Sequence, residues 1–173
     1  DMMQTPAATT KLASEIVQQA SASNSLIVIA ESCTGGMVAA ALTDIAGSSA
    51  ALERGLVTYS NAAKIELLGV KDTTLSVHGA VSVECAAEMV VGALAKTPTA
   101  MLGLAITGIA GPNGSTPNKP VGLVHFALQR RGEAAQLDRV IFAGDRLAVR
   151  AQATLHALKL LAELLEDGSN DGC

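Results

Sequence analysis

At 173 residues the chain is long enough for one well-buried core and short for two, so a single domain is expected. Hydrophobic residues make up 49%, yet charge is spread through the sequence and no apolar run reaches the roughly 18 residues of a membrane-spanning helix. A formal net charge of −4 without a cluster of Lys and Arg, and an aromatic content of 2%, argue against nucleic acid or an anionic membrane surface as the partner.

Residues 1–25 contain no basic segment followed by an apolar core, so no secretory signal is expected, and residues 1–9 read as a disordered lead-in. Apolar residues at helical spacing then predict a helix over 11–23. The continuous apolar run 26–30 suits a strand of a sheet covered on both faces. An Ala-rich helix is expected over 34–46, with Thr34 as a candidate cap and Gly47 as its stop. A second strand over 52–59 leads to a short helix capped by Asn61 and stopped by Gly69. Ser82 caps a long helix running to residue 96, with Pro98 beyond its end. A third strand over 100–107 runs into a Gly-rich loop, and strands over 121–129 and 135–142 flank a hairpin turn at 130–133. Asp145 caps a last helix to about residue 166, and 167–173 reads as a frayed tail. The domain proper thus covers 10–166. Helices between the early strands and a late hairpin predict an α/β fold, a three-layer α/β/α sandwich on a mixed sheet of about five strands.

Cys33, Cys85 and Cys173 form no C-x-x-C pair and no ligand-like spacing with His78, His125 and His156. No metal, cofactor or disulfide framework is expected, and a reducing cytoplasm fits. The dinucleotide fingerprint, the P-loop, the G-x-S-x-G elbow and the S-x-x-K motif are all missing, and the isolated histidines make a Ser–His hydrolase unpromising.

Four segments at strand ends or helix starts remain. In residues 31–36 a strand delivers Ser32 to a turn relieved by Gly35 and Gly36, just before a helix. Such a turn serves a nucleophile facing its oxyanion hole, a phosphate cradle, or merely a capped helix start. In residues 58–64 the only tyrosine, Tyr59, ends a strand and Lys64 lies in the first helical turn, where a cation opposes the helix dipole. The loop 107–121, with Thr107, Gly108, Gly111 and Lys119, has the glycine density of a backbone that approaches a ligand closely or of a flexible connection. Arg146, at the start of the last helix, suits a phosphate clamp or a surface ion pair.

The strings AESCTGG (30–36), TDIAGSS (43–49), ERGLVTYSNAAK (53–64), HGAVS (78–82), TGIAGPNG (107–114), KPVG (119–122) and GDRLAVRAQAT (144–154) occur in this order. Together they closely resemble the CinA C-terminal domain family, the PncC-type nicotinamide mononucleotide deamidases, over about residues 12–165. One position departs: the family usually shows a second glycine after Gly114, and Ser115 stands here. The resemblance implies hydrolysis of the carboxamide of nicotinamide mononucleotide, with Ser32, Tyr59 and Lys64 at the catalytic positions. It places Thr34, Gly35, Gly36, Thr107, Gly108, Gly111 and Arg146 about the substrate. The implied partner is a small-molecule nucleotide, the implied assembly a homodimer. A non-catalytic nucleotide-binding module and a structural interaction domain are the other readings, although pure binding needs no Ser–Lys pair.

Overall fold

The computed structural model describes residues 4–170, with the side chains of 7–168. Its elements in chain order are α1 (Gln4–Ala22), β1 (Ile27–Glu31), α2 (Met37–Thr43), β2 (Leu52–Val57), α3 (Asn61–Leu68), α4 (Asp72–His78), α5 (Val83–Ala95), β3 (Leu102–Gly108), β4 (Leu123–Arg130), β5 (Gln136–Ile141) and α6 (Arg146–Asn170). The strands form one mixed sheet in the order β2-β1-β3-β4-β5. β1 pairs in parallel with β2 and β3, and β4 runs antiparallel to both β3 and β5.

Burial explains this order. β1 is buried at every position and β3 and β4 at nearly every one, as their unbroken apolar runs demand, whereas the edge strands β2 and β5 are only partly covered. One face carries large residues such as Ile29, Leu104 and Phe126, which pack against α1, α2 and α6. The other face carries Ala30, Ala105 and Ala127, and these small side chains let α5 lie close to the sheet. The expected α/β/α sandwich is therefore the observed architecture. No helix among the described residues is long and apolar enough to cross a membrane.

The element boundaries need several corrections. α1 begins at Gln4, so the lead-in expected over 1–9 is helical from residue 4, and residues 1–3 lie outside the described residues. Pro6 does not prevent this, because amides in a first helical turn have no intrahelical acceptor. α6 continues to Asn170, beyond the expected end at 166. Gly168 keeps an ordinary φ and does not break it, and 171–173 of the expected tail lie outside the described residues. Thr34 does not cap α2, which starts at Met37 after Gly35 and Gly36, both at positive φ. Ser60 rather than Asn61 caps α3, its hydroxyl accepting from the Ala63 amide at 3.0 Å. α4 was not expected at all. Its start is held by the Glu88 carboxylate of α5, which accepts the Lys71 amide at 2.9 Å and the Thr74 hydroxyl. The caps at Ser82 and Asp145 are as expected.

α5 also fixes the height of α3 over the sheet through Gly92. A Cβ built on Gly92 would lie 1.7 Å from the Leu68 carbonyl oxygen, so the two helices touch backbone to backbone. Gly92→Ala is expected to destabilise the fold by about 3 kcal/mol, the upper range for overpacking, and to lower Tm by several degrees in thermal denaturation. An unchanged Tm would mean that the helices part freely.

Candidate active site

In the order β2-β1-β3 the chain leaves β1 in one direction towards β2 and returns in the other to β3. The first connection runs through α2 on one face, and the second through α3, α4 and α5 on the opposite face. Such a reversal opens a crevice at the carboxyl ends of the two central strands. Ser32 directly follows β1 and Gly108 ends β3 at this edge. An open cleft of about 270 Å³ lies there, lined among others by Cys33, Tyr59, Val81, Gly108, Gly111 and Arg146.

Ser32 is held by its own amide, which donates to the Ile106 carbonyl at 3.0 Å, and by its carbonyl, which accepts from the Gly35 amide. The side chain of Lys64 points back past the start of α3, as helical side chains do, and reaches the ends of β1 and β2. Its ammonium nitrogen Nζ lies 3.0 Å from Ser32 Oγ, 2.8 Å from the Thr58 carbonyl and 3.2 Å from the Tyr59 carbonyl. Lys64 is 1% exposed, and among the described residues it has no carboxylate partner. Burial therefore lowers its pKa below the usual 10.5, against a smaller opposing influence of Cys85 and Cys33. A neutral amine has two N–H bonds and one lone pair. With its two N–H bonds on the Thr58 and Tyr59 carbonyls, such an amine can turn its lone pair to the serine hydroxyl.

Glu31, the last residue of β1, holds the turn from within the protein. Its buried carboxylate accepts the amides of Val38 and Ala39, each at 3.0 Å, at the start of α2. The helix terminus that might have cradled a phosphate is filled by the protein's own anion. These contacts span seven and eight residues, outside any local capping pattern, so the sequence carried no signal for them. The Gly35 and Met37 amides are also used within the turn. Gly35 is thus not a free donor, and the amides of Thr34 and Gly36 remain. Arg150 fixes this turn from α6 by donating to the Cys33 carbonyl at 3.0 Å and to the Thr34 carbonyl at 3.4 Å. The Thr34 hydroxyl is buried without a partner.

Tyr59 and Lys64 meet only through the tyrosine's backbone. The phenol is exposed and turned towards Arg146, whose guanidinium donates to the Tyr59 hydroxyl at 3.1 Å and to the Gly111 carbonyl at 2.7 Å. Arg146 thus bridges two walls of the cleft while keeping three of its five N–H donors. Thr107 departs from its expected place: it is buried, and its hydroxyl is spent on the Ala80 carbonyl at 2.8 Å. Gly111 has φ +85°, and a Cβ there would lie 2.5 Å from Val121, so the loop needs glycine at that point. Ser115 is exposed with no positive φ, so the departure at this position introduces no backbone strain.

The remaining ionisable groups do not compete for the serine. Burial pushes the thiol pKa of Cys33 up to about 11, which keeps it protonated and unreactive beside Ser32. His156 pairs with Asp138 at 2.6 Å, His78 lies 3.5 Å from Glu84, and burial lowers the pKa of His125. No group of His, Cys, Asp and Glu among the described residues forms a metal-binding cluster.

Comparison with known proteins places these features in a context. A family model described as the CinA C-terminal domain matches residues 9–165. The chain is 51% identical over 152 residues to the nicotinamide-nucleotide amidohydrolase PncC of Escherichia coli strain K12, covering 87% of this chain and 91% of that protein. It is 49% identical over 133 residues to the protein of the same name from Enterobacter agglomerans, covering 77% and 80%. Among solved structures, the competence/damage inducible protein CihA from Agrobacterium tumefaciens superposes with a TM-score of 0.88 at 42% identity, covering 91% of this chain and 95% of that one. A CinA superfamily protein from Klebsiella pneumoniae gives 0.87 at 40%, covering 92% and 98%.

Proposed function

The chain belongs to the CinA C-terminal domain family, and on that premise we propose that it is an amidohydrolase that converts nicotinamide mononucleotide to nicotinate mononucleotide and ammonia. Ser32 is the nucleophile and Lys64 its base. The observation that carries this reading is the buried 3.0 Å contact between Ser32 Oγ and a Lys64 amine otherwise bound only to backbone carbonyls.

An amide is a poor electrophile, so the serine must lose its proton as it attacks. Lys64 Nζ takes that proton while Oγ forms a bond to the carboxamide carbon. The Thr34 and Gly36 amides, unspent on the turn that follows Ser32, serve the developing oxyanion, a contribution of typically about 3 kcal/mol per donor. Collapse of the tetrahedral intermediate breaks the C–N bond, and Lys64 returns its proton to the leaving nitrogen, which departs as ammonia. Water then attacks the seryl ester, Lys64 again accepts a proton, and cleavage of the ester restores Oγ–H and releases the carboxylate. Tyr59 contributes its carbonyl to orient Lys64 and its phenol to position Arg146. The free donors of Arg146 take the 5′-phosphate.

Ammonia release from nicotinamide mononucleotide by the purified protein, measured without added metal or cofactor, tests the proposal. Binding of the nucleotide without release would sink it in favour of a binding module. Arg146→Ala is expected to raise KM at least tenfold with a smaller change in kcat, and an unchanged KM removes the phosphate clamp. A cytoplasmic homodimer completes the reading: the buried free thiols of Cys33 and Cys85 suit a reducing compartment, and sedimentation velocity checks the dimer.

A further inference from the structure

We infer that Lys119 is a positioning residue that sets the width of the substrate cleft by tying the tip of the Gly-rich loop to the end of α4. The loop is a closed hairpin. At its base the Ile109 amide donates to the Leu123 carbonyl at 2.9 Å and the Gly122 amide to the Ile109 carbonyl at 2.8 Å. At its tip Thr116 and Lys119 exchange backbone hydrogen bonds at 2.9 and 3.1 Å. One limb of this hairpin, from Gly108 to Gly114, lines one wall of the cleft, and Val81, three residues beyond α4, lines the facing wall.

Two side chains join these walls. Thr107, at the root of the loop, donates to the Ala80 carbonyl. Lys119, at the tip, donates through Nζ to the His78 carbonyl, the last residue of α4. That carbonyl belongs to a helix C-terminus, where unsatisfied oxygens and the negative end of the dipole favour a cation. Lys119 is half-buried, and among the described residues it forms no ion pair with a carboxylate. Its contact with α4 is therefore a directed hydrogen bond rather than diffuse surface charge. Gly79 packs directly against this contact: a Cβ there would stand 3.0 Å from Lys119 Nζ, closer than an ordinary van der Waals contact. With both ties made, the distance between Val81 and the loop is fixed. With the tip released, Thr107 is the one remaining side-chain tie between the hairpin and the segment after α4, and the hairpin as a unit gains freedom against Val81 that ligand binding must remove.

The kinetic consequence rests on the proposed deamidase reading, whereas the tie itself does not. The wild type, Lys119→Met and Lys119→Arg are compared by steady-state kinetics on nicotinamide mononucleotide, thermal denaturation, and amide hydrogen exchange. Lys119→Met keeps the stem and removes the donor. It is expected to raise KM about tenfold, the scale of one charge-assisted hydrogen bond, with kcat within about twofold and Tm nearly unchanged. Exchange at residues 79, 116 and 119 should accelerate, and Lys119→Arg should restore both readouts. Unchanged exchange in Lys119→Met, an unchanged KM beside an active wild type, or a loss of kcat that merely follows a lowered Tm overturns the inference. A wild type that releases no ammonia overturns the deamidase reading, and the exchange data still decide whether Lys119 holds the loop.

Discussion

Ser32→Ala is expected to lower kcat for ammonia release by about 10⁴- to 10⁶-fold, the range in which serine hydrolases lose their nucleophile, while the protein remains folded. The activity loss is large because the site offers no substitute. Cys33 is the adjacent candidate, but burial holds its thiol near 11, far from the thiolate that attack requires. The fold should tolerate the change because the turn is held by other groups: Glu31 on the α2 amides, Arg150 on the Cys33 and Thr34 carbonyls, and the Ser32 backbone on β3. What the alanine removes is a single hydrogen bond to Lys64, worth about 1 kcal/mol. Steady-state kinetics beside urea denaturation would measure both quantities. Retention of near-full activity by a folded Ser32→Ala protein would overturn the nucleophile.

Lys64→Met should separate activity from stability with opposite signs. Without the base, kcat is expected to fall by about 10³- to 10⁴-fold, the upper range for a general base. The effect on stability follows from linkage. Burial holds the folded-state pKa of Lys64 below its unfolded value of 10.5, so between the two values the unfolded chain binds more protons. The stability associated with the buried amine is full above 10.5 and is lost as pH falls through the lowered folded value. At pH 7 the wild type bears this penalty and the methionine variant does not. Lys64→Met should therefore melt at a higher temperature than wild type at pH 7, with the difference shrinking as pH approaches 10.5. With Lys64 as the proposed base, the same depressed pKa should govern wild-type activity: kcat/KM is expected to rise with pH, following the neutral amine, and to level off below 10.5. A rise that begins only above 10.5, or a variant with lower Tm at neutral pH, would show that the amine is not destabilised by burial.

That trade explains a feature of the sequence. A lysine in the first turn of a helix is placed against the dipole, and the segment 58–64 stood out for this reason. In the structure the same lysine is among the largest fully buried side chains, and its ammonium faces two carbonyls and a serine hydroxyl instead of a carboxylate. Local rules are broken there, as they are at functional sites, and the proposed reaction is one that requires an amine that gives up its proton readily.

The central strands were legible because a sheet covered on both faces needs unbroken apolar runs, and residues 26–30 and 100–107 are such runs. The caps at Ser82 and Asp145 and the hairpin between β4 and β5 were legible for a similar reason: each depends on groups within a few residues of one another. The motif strings located the turn at Ser32 and the segment bearing Lys64, but not the contact between them. That contact crosses 32 residues and exists because β1 and β2 end side by side. Other features escaped the sequence for the same physical reason. α4 begins where Glu88 of α5 meets the Lys71 amide and the Thr74 hydroxyl, Glu31 fills the start of α2 from seven residues away, and Thr107 spends its hydroxyl on Ala80. Hydrophobic periodicity and local capping follow from the chain's own neighbours and are written in its order. Which carboxylate satisfies which helix end, and which hydroxyl is left to react, depends on groups that become neighbours only after the sheet and its two helical layers have packed.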